Sequence, residues 1–267
     1  MKNHSNFYTG ILAIILLTFA SCQKVIDLKL NSVTGKLVIE GNVTNVNELQ
    51  VVKLSQNVPF TNTNVYPPVS GATVTINDQA GNTWHLVEGP AGSYTTTTSF
   101  AGVAGVTYSL TVLTGNQTYT ASSTMPALVT LDSLSSSSSQ YSDKKNTRQV
   151  SVYFKDPAGV PNQYRFVMYV NGVQVRDVFT FNDEFSDGKN VNDVLNETDI
   201  DIYAGDAVKV EMQCVDEAIY TYWTTLKDMG TDSGGAVAPS NPPSNLTNGA
   251  YGYFSAHTTQ NKTFTVK

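Results

Sequence analysis

The chain has 267 residues and a formal net charge of −6, with 14% charged and 10% aromatic residues. This composition argues against a disordered chain, and the abundance of Thr, Ser, Val and Tyr favours β-structure over a helical bundle. An acidic chain without a Lys/Arg cluster is not expected to bind nucleic acid. Three His and two Cys supply few ligands, so neither a metal nor a cofactor is predicted.

Residues 1–21 are predicted to be a lipoprotein signal peptide. A positive charge at Lys2 precedes an apolar run over residues 11–17, which is too short to span a bilayer because a spanning helix needs about 20 apolar residues. The segment Leu17-Thr18-Phe19-Ala20-Ser21-Cys22 then resembles a bacterial lipobox. This resemblance implies cleavage before Cys22 and acylation of that residue, which would anchor the chain to a membrane through a tether over residues 22–33. Ordinary secretion with an unmodified Cys22 is the alternative.

Residues 34–126 are predicted to form an antiparallel β-sandwich, because short alternating runs are separated by Gly, Asn, Asp and Pro. The predicted strands cover residues 36–40, 50–55, 72–77, 83–88, 92–97, 107–113 and 117–122. The succession of Ser70-Gly71-Ala72-Thr73-Val74, Gly92-Ser93-Tyr94 and Gly105-Val106-Thr107-Tyr108 resembles carboxypeptidase-regulatory-like and related immunoglobulin-like modules. Modules of that kind are usually structural.

Residues 127–267 are predicted to form a second immunoglobulin-like, β-sandwich-like module, so the expected fold class is mainly β with two antiparallel modules. Strands are predicted over residues 149–154, 163–170, 173–181, 200–203 and 208–215, with a last strand that starts at Tyr251. Asn171-Gly172 predicts a tight hairpin turn. Apolar residues at three- and four-residue spacing predict one short helix over about 217–229, with Asp216 as its amino-terminal cap.

Three aromatic residues are candidate binding residues. Trp223 belongs to the aromatic stripe of the predicted helix, and Tyr251 and Tyr253 flank a glycine in the last strand. Packing inside the core is the favoured interpretation of both groups. The alternative is a stacking platform for a sugar or a peptide, which would require these rings to be exposed on one face.

The densest acidic stretch supplies three more candidates, Asp183, Glu184 and Asp187. A calcium-loop alignment that uses Gly188 as the invariant glycine places Phe185 and Val194 at ligand positions, and neither side chain has an oxygen. The stretch is therefore predicted to be a solvated turn rather than a metal site. Its carboxylates could also meet a basic surface of a partner protein.

Four common catalytic and nucleotide-binding motifs are absent from the sequence. There is no H-E-x-x-H pair, P-loop, G-x-S-x-G elbow or dinucleotide-type glycine fingerprint. Cys214 lies in an alternating apolar strand pattern, which predicts a buried thiol rather than a nucleophile. We therefore expect no catalytic residues and no enzymatic activity, with a hydrolase of unusual site chemistry as the alternative.

The order of several modest motifs resembles one family. The lipobox is followed by Lys36-Leu37-Val38-Ile39-Glu40-Gly41, then by the acidic stretch, Tyr220-Thr221-Tyr222-Trp223 and finally Gly252-Tyr253-Phe254. This succession resembles the Bacteroidota lipoprotein family called domain of unknown function 4249, over nearly the whole mature chain. The resemblance implies an envelope lipoprotein of unestablished activity, commonly encoded beside TonB-dependent outer-membrane receptors.

The expected function is therefore that of a lipid-anchored outer-membrane protein, a non-enzymatic accessory or binding partner of such a receptor. A surface module that binds glycans or peptides is the alternative. Many surface-exported lipoproteins of that phylum carry acidic residues directly after the cysteine, whereas Gln23-Lys24-Val25-Ile26 follows Cys22 here. Both a surface-exposed and a periplasm-facing orientation therefore stay open.

Overall fold

A computed structural model describes residues 35–59, 65–139, 144–230 and 241–267. The predicted signal peptide, the predicted tether and Cys22 lie outside the described residues. Within the described ranges, no helix is long and apolar enough to cross a membrane.

The described residues contain fifteen strands and one helix, which confirms the mainly-β fold class. The first seven strands are β1 (Leu37–Thr44), β2 (Val51–Gln56), β3 (Thr73–Asp78), β4 (Thr83–Glu88), β5 (Ser93–Thr96), β6 (Thr107–Thr114) and β7 (Gln117–Thr124). The others are β8 (Leu131–Ser138), β9 (Arg148–Lys155), β10 (Gln163–Val170), β11 (Val173–Gln174), β12 (Phe179–Asn182), β13 (Asn190–Leu195), β14 (Ala207–Val215) and β15 (Tyr251–Thr265). The helix α1 (Glu217–Gly230) lies between β14 and β15 in the chain and matches the predicted helix closely.

The strands form two sheets in the described part of the chain. The larger has the order β11-β10-β14-β15-β1-β2-β5-β4-β3-β6-β7, with β12 also paired to β10, and the smaller has the order β13-β9-β8. Strand β15 makes the larger sheet continuous, because its first half runs parallel to β1 and its second half runs antiparallel to β14.

The start of β15 therefore belongs with the amino-terminal strands, although the sequence placed the whole last strand in the second module. Phe254 is fully buried among residues of β1, β2 and β6, together with Ile39, Leu54 and Leu110. The chain just before β15 also reaches β7, where the Thr247 N–H donates to the carbonyl oxygen of Thr120 over 2.9 Å. The proposed boundary between residues 126 and 127 stays a prediction, but the pairing and the packing cross it.

The second core lies between β10 and β14 on one side and β8 and β9 on the other. Tyr164, Phe166 and Met168 are buried on one face of β10, as the period-two pattern predicts. Cys214 is buried on the same side of β14, and burial raises the pKa of its thiol. The thiol is thus kept in the protonated, unreactive form, as expected from the strand pattern.

Two predicted strands of the carboxyl-terminal half are wrong. Residues 200–203 form no strand, because the Ile200 N–H donates to a side-chain oxygen of Glu197 at 2.7 Å instead of to a neighbouring strand. The predicted strand 173–181 is interrupted between β11 and β12, where the backbone N–H of Arg176 donates to the Asp199 carboxylate. Strand β13, by contrast, was not predicted, since its Asn and Asp residues are typical of turns.

Candidate functional site

An arginine and three aromatic residues form a cluster beneath α1, which we call the Arg165 cluster (Arg165, Tyr222, Trp223 and Tyr253). The Arg165 guanidinium carbon lies 3.6 Å from the centroid of a Trp223 ring. Ring centroids of Trp223 and Tyr253 are 5.2 Å apart, and those of Tyr222 and Tyr253 are also 5.2 Å apart. These contacts combine cation–π and edge-on aromatic packing, which fixes the helix on the face of the large sheet that carries Arg165 and Tyr253.

The N–H groups of the Arg165 side chain are only partly hydrogen-bonded. Its Nη1 donates to the Gln213 side-chain oxygen at 3.0 Å, whereas its Nε is buried and has no hydrogen-bond partner. Among the described residues, no carboxylate forms an ion pair with Arg165. Burial accordingly lowers the pKa of the guanidinium, since the charged form is desolvated.

The amino-terminal end of α1 is fixed by Asp216. Its Oδ1 accepts a hydrogen bond from the Ile219 N–H at 3.0 Å, which confirms the predicted cap. Its Oδ2 accepts from the Ser123 hydroxyl at 2.5 Å, and the same hydroxyl oxygen accepts from the Ala256 N–H at 2.8 Å. One polar network thus ties the start of α1 to β7 and to β15.

The three aromatic candidates therefore have different surroundings. Tyr253 is 7% exposed, whereas Trp223 and Tyr251 are partly buried. Tyr251 lies apart from the cluster, with the Lys36 ammonium 4.9 Å from its ring centroid. The structure brings Trp223 and Tyr253 together as packing partners, and a binding role for the three rings stays a prediction.

A buried histidine lies on the same face of β15 as Tyr253. His257 is 3% exposed, and its Nδ1 is 3.0 Å from the Ser255 hydroxyl oxygen. Burial lowers the pKa of His257 from 6.5 to about 4 and outweighs the Glu211 charge, which acts in the opposite direction, while the Arg165 charge adds to the decrease.

This buried histidine predicts acid-dependent stability. Between pH 6.5 and about 4 the unfolded chain binds a proton that folded His257 does not bind, so stability falls as the pH falls. We expect a loss of about 2–3 kcal/mol from this residue between pH 7.5 and 4.5, measured by urea unfolding.

A His257→Gln variant isolates the effect, because its unfolding free energy lacks this pH dependence. His85 is exposed on β4, so His85→Gln is the matched control and should retain the wild-type pH profile. Equal pH profiles for wild type and His257→Gln would contradict the assignment.

Two of the acidic candidates come together with an aspartate that was not predicted. Carboxylate oxygens of Asp156, Asp183 and Asp187 lie within 4.8 Å of one another. Asp183 accepts the Asn162 N–H at 2.9 Å, and Asp187 accepts the Gly159 N–H at 2.6 Å. The carboxylates thus join the loop before β10 to the loop after β12, which accounts for their proximity without a ligand.

Asp156 is the buried member of this group and is fully enclosed. The Tyr164 hydroxyl and the Gly188 N–H both donate to its carboxylate, the latter at 3.3 Å. Glu184, the remaining acidic candidate, lies outside the group and is exposed. The proposed role of Asp183, Glu184 and Asp187 in binding stays a prediction.

Comparison with known families identifies the family of the chain. A family profile described as "Domain of unknown function (DUF4249)" matches residues 23–263. The chain belongs to the DUF4249 family. A search of curated proteins gives no matching relative for this DUF4249 chain. Among solved structures, a two-domain fibronectin type III segment of chicken tenascin is similar at 14% identity and a TM-score of 0.22, over 68% of the DUF4249 chain and 90% of the tenascin chain.

Sequence reasoning missed three residues of the DUF4249 chain that the structure makes prominent. Arg165 could have been found, because the alternation in β10 puts it opposite the apolar face and beside Gln213 of β14. His257 lies in a run of seven buried residues, so period two gives no signal there. Asp156 is distant in sequence from Asp183, and no spacing rule connects them.

Proposed function

We propose that the chain is a lipid-anchored cell-envelope protein that acts as a non-enzymatic binding partner of a TonB-dependent outer-membrane receptor. The observation that carries the proposal is the segment Leu17-Thr18-Phe19-Ala20-Ser21-Cys22, which ends an apolar run in the manner of a lipobox. The chain is a member of the DUF4249 family, and the envelope role is what the resemblance described above implies. The receptor partnership rests on the resemblance described above.

The environments of the titratable groups support binding rather than catalysis. His257 is enclosed and its pKa is about 4, so it is neutral near pH 7 and does not face solvent. Asp183 and Asp187 accept backbone N–H groups, and Asp216 caps a helix. These four side chains stabilise the fold, so none of them is placed to act as a general acid, a general base or a nucleophile.

The glycan- or peptide-binding alternative depends on exposed aromatic rings. Tyr253 packs against Trp223 and Tyr222, and one face of Trp223 is occupied by the Arg165 guanidinium. Tyr251 is the aromatic candidate with the fewest ring contacts, since only Lys36 lies over its ring among the described residues. A receptor-associated binding module therefore has the stronger support.

Replacing Cys22 by alanine tests the anchor. We expect the variant to lose incorporation of labelled palmitate and to leave the membrane fraction, because several acyl chains provide the stable attachment. The measurement is metabolic labelling followed by fractionation of the native host.

Cys214→Ala is the matched control, since it removes the other cysteine, which is buried. This control should keep both the label and the membrane location. A wild-type chain that carries no label and is recovered in the soluble fraction, as Cys22→Ala is, would instead favour ordinary secretion. Protease treatment of intact cells then distinguishes surface display from a periplasm-facing anchor.

A further inference from the structure

A groove lies on one side of the carboxyl-terminal half, between the edge strands β12 and β13. It encloses about 310 Å³, and the first half of α1 and the loop after β12 complete its walls. Its lining includes Phe154, Phe181, Tyr220, Phe185, Val191 and Asp193. None of the candidate residues singled out from the sequence lines it.

Asp193 is the one acidic residue of this lining. Its side chain is partly buried, and its Oδ1 accepts the adjacent Val194 N–H at 2.8 Å. Among the described residues it forms no ion pair, although the positive charge of Lys227 on α1 favours its ionised form. Burial raises the pKa of Asp193, because desolvation of the carboxylate outweighs the Val194 hydrogen bond and the Lys227 charge.

The aromatic residues complement this carboxylate. The partly buried Phe181 and Tyr220 line the groove, as does the buried Phe154, and a cation is attracted to aromatic rings while a carboxylate neutralises its charge. A long side chain with an apolar stem and a cationic end matches both features, because the stem can contact the rings as the end reaches Asp193.

The rim favours a protein as the source of that side chain. Phe185 lines the groove and is 81% exposed, the largest exposed fraction among the exposed large apolar residues in the described part of the chain. Val160, on the neighbouring loop, is 55% exposed, and Asp187 connects the two loops through the Gly159 N–H. Glu184 adds an exposed negative charge beside Phe185.

We infer that this groove binds a lysine or arginine side chain of a protein partner, with Asp193 as its counter-ion and Phe185 as an apolar contact at the rim. The inference rests on the proposed function as a binding partner, and it adds the site and the chemistry of recognition. A basic, apolar-flanked segment is therefore the part of the partner that the groove recognises.

Small probes test the groove without the partner. The expected mature chain, residues 22–267 with Cys22→Ser, is titrated with N-acetyl-lysine methylamide, N-acetyl-arginine methylamide and the neutral N-acetyl-norleucine methylamide. Amide shifts in ¹H–¹⁵N spectra report the binding position. We expect saturable shifts at groove residues with millimolar affinity for a cationic probe, and affinity at least about fivefold weaker for the neutral probe.

Two variants test the counter-ion. Asp193→Asn should weaken binding of the cationic probe by about fivefold or more, and it retains an oxygen for the Val194 N–H, so the fold should persist. Asp132→Asn, at an exposed position on β8 outside the groove lining, is the matched control and should change the affinity less than about twofold.

The inference is overturned if the groove amides do not shift, if the norleucine probe binds as well as the cationic probes, or if Asp193→Asn binds them unchanged. None of these three results would contradict the proposed function, because receptor capture by the anchored protein is measured separately. Conversely, cation binding in the groove without a copurifying receptor would overturn the proposed function alone.

Discussion

Replacing Gly252 by alanine is expected to remove most of the folding stability of the protein. Gly252 has φ of +92° and lies opposite Ile39 in the parallel pairing of β15 with β1. An added Cβ would lie 2.0 Å from the carbonyl oxygen of Ile39, so the backbones of two paired strands would have to separate. We expect a loss above about 4 kcal/mol, measured by urea unfolding of residues 22–267 with Cys22→Ser.

Gly249→Ala is the matched control for this substitution. Gly249 also has a positive φ, +70°, but its nearest neighbour to an added Cβ is the Lys36 Nζ at 3.9 Å. Only the backbone strain then contributes, so we expect the free energy of unfolding to fall by about 1 kcal/mol. Similar losses for the two variants would contradict the close approach of β15 and β1 at Gly252.

Replacing Phe254 by alanine should have the second largest effect. The ring is fully buried in the first core, and its Cδ2 would lie 2.9 Å from a Cβ added at Gly41, which shows how closely the ring packs on β1. Removing the ring leaves a cavity among rigid strands, so we expect a loss of about 3–5 kcal/mol in urea unfolding.

The same variant tests whether the two halves unfold together. Because β15 pairs with both β1 and β14, loosening its first half should also weaken protection of β14 and β10 against hydrogen exchange. Phe254→Leu is the conservative control, with an expected loss of less than about 2 kcal/mol. Unchanged exchange in β14 for Phe254→Ala would show that the halves unfold independently.

Local signals in the sequence were sufficient for individual elements of the fold. The alternation in β10 identified its buried face, and Asp216 marked the start of α1. Asn171 and Gly172 both have positive φ, as the predicted tight hairpin turn requires. These features depend on residues that are neighbours in the chain, so period and turn chemistry reveal them.

Features that depend on distant residues were not predictable in the same way. The parallel pairing of Gly252 with Ile39 joins residues more than 200 positions apart. Likewise, the proximity of Asp156 to Asp183 follows from loop packing, and the groove at Asp193 lies between edge strands of two different sheets. A single sequence carries no local signal for any of these contacts.

The candidate residues show the same difference between features that depend on chain neighbours and features that depend on distant residues. The helical period correctly placed Trp223 on α1, but its partner Arg165 comes from β10 and was found only in the structure. Cys22 required no fold at all, because the lipobox is a linear signal. The anchor is therefore the part of the function that the sequence predicts most directly.

Capture of the anchored protein from its native membrane tests the central claim. An affinity-tagged chain with Cys22 intact is expressed in the native host, cross-linked in intact cells and purified from detergent-solubilised outer membranes, beside an unrelated tagged lipoprotein as the control. We predict that mass spectrometry will find a TonB-dependent receptor enriched with the DUF4249 chain and not with the control. A cross-linked, membrane-anchored chain that recovers no receptor above the control would contradict the proposed function.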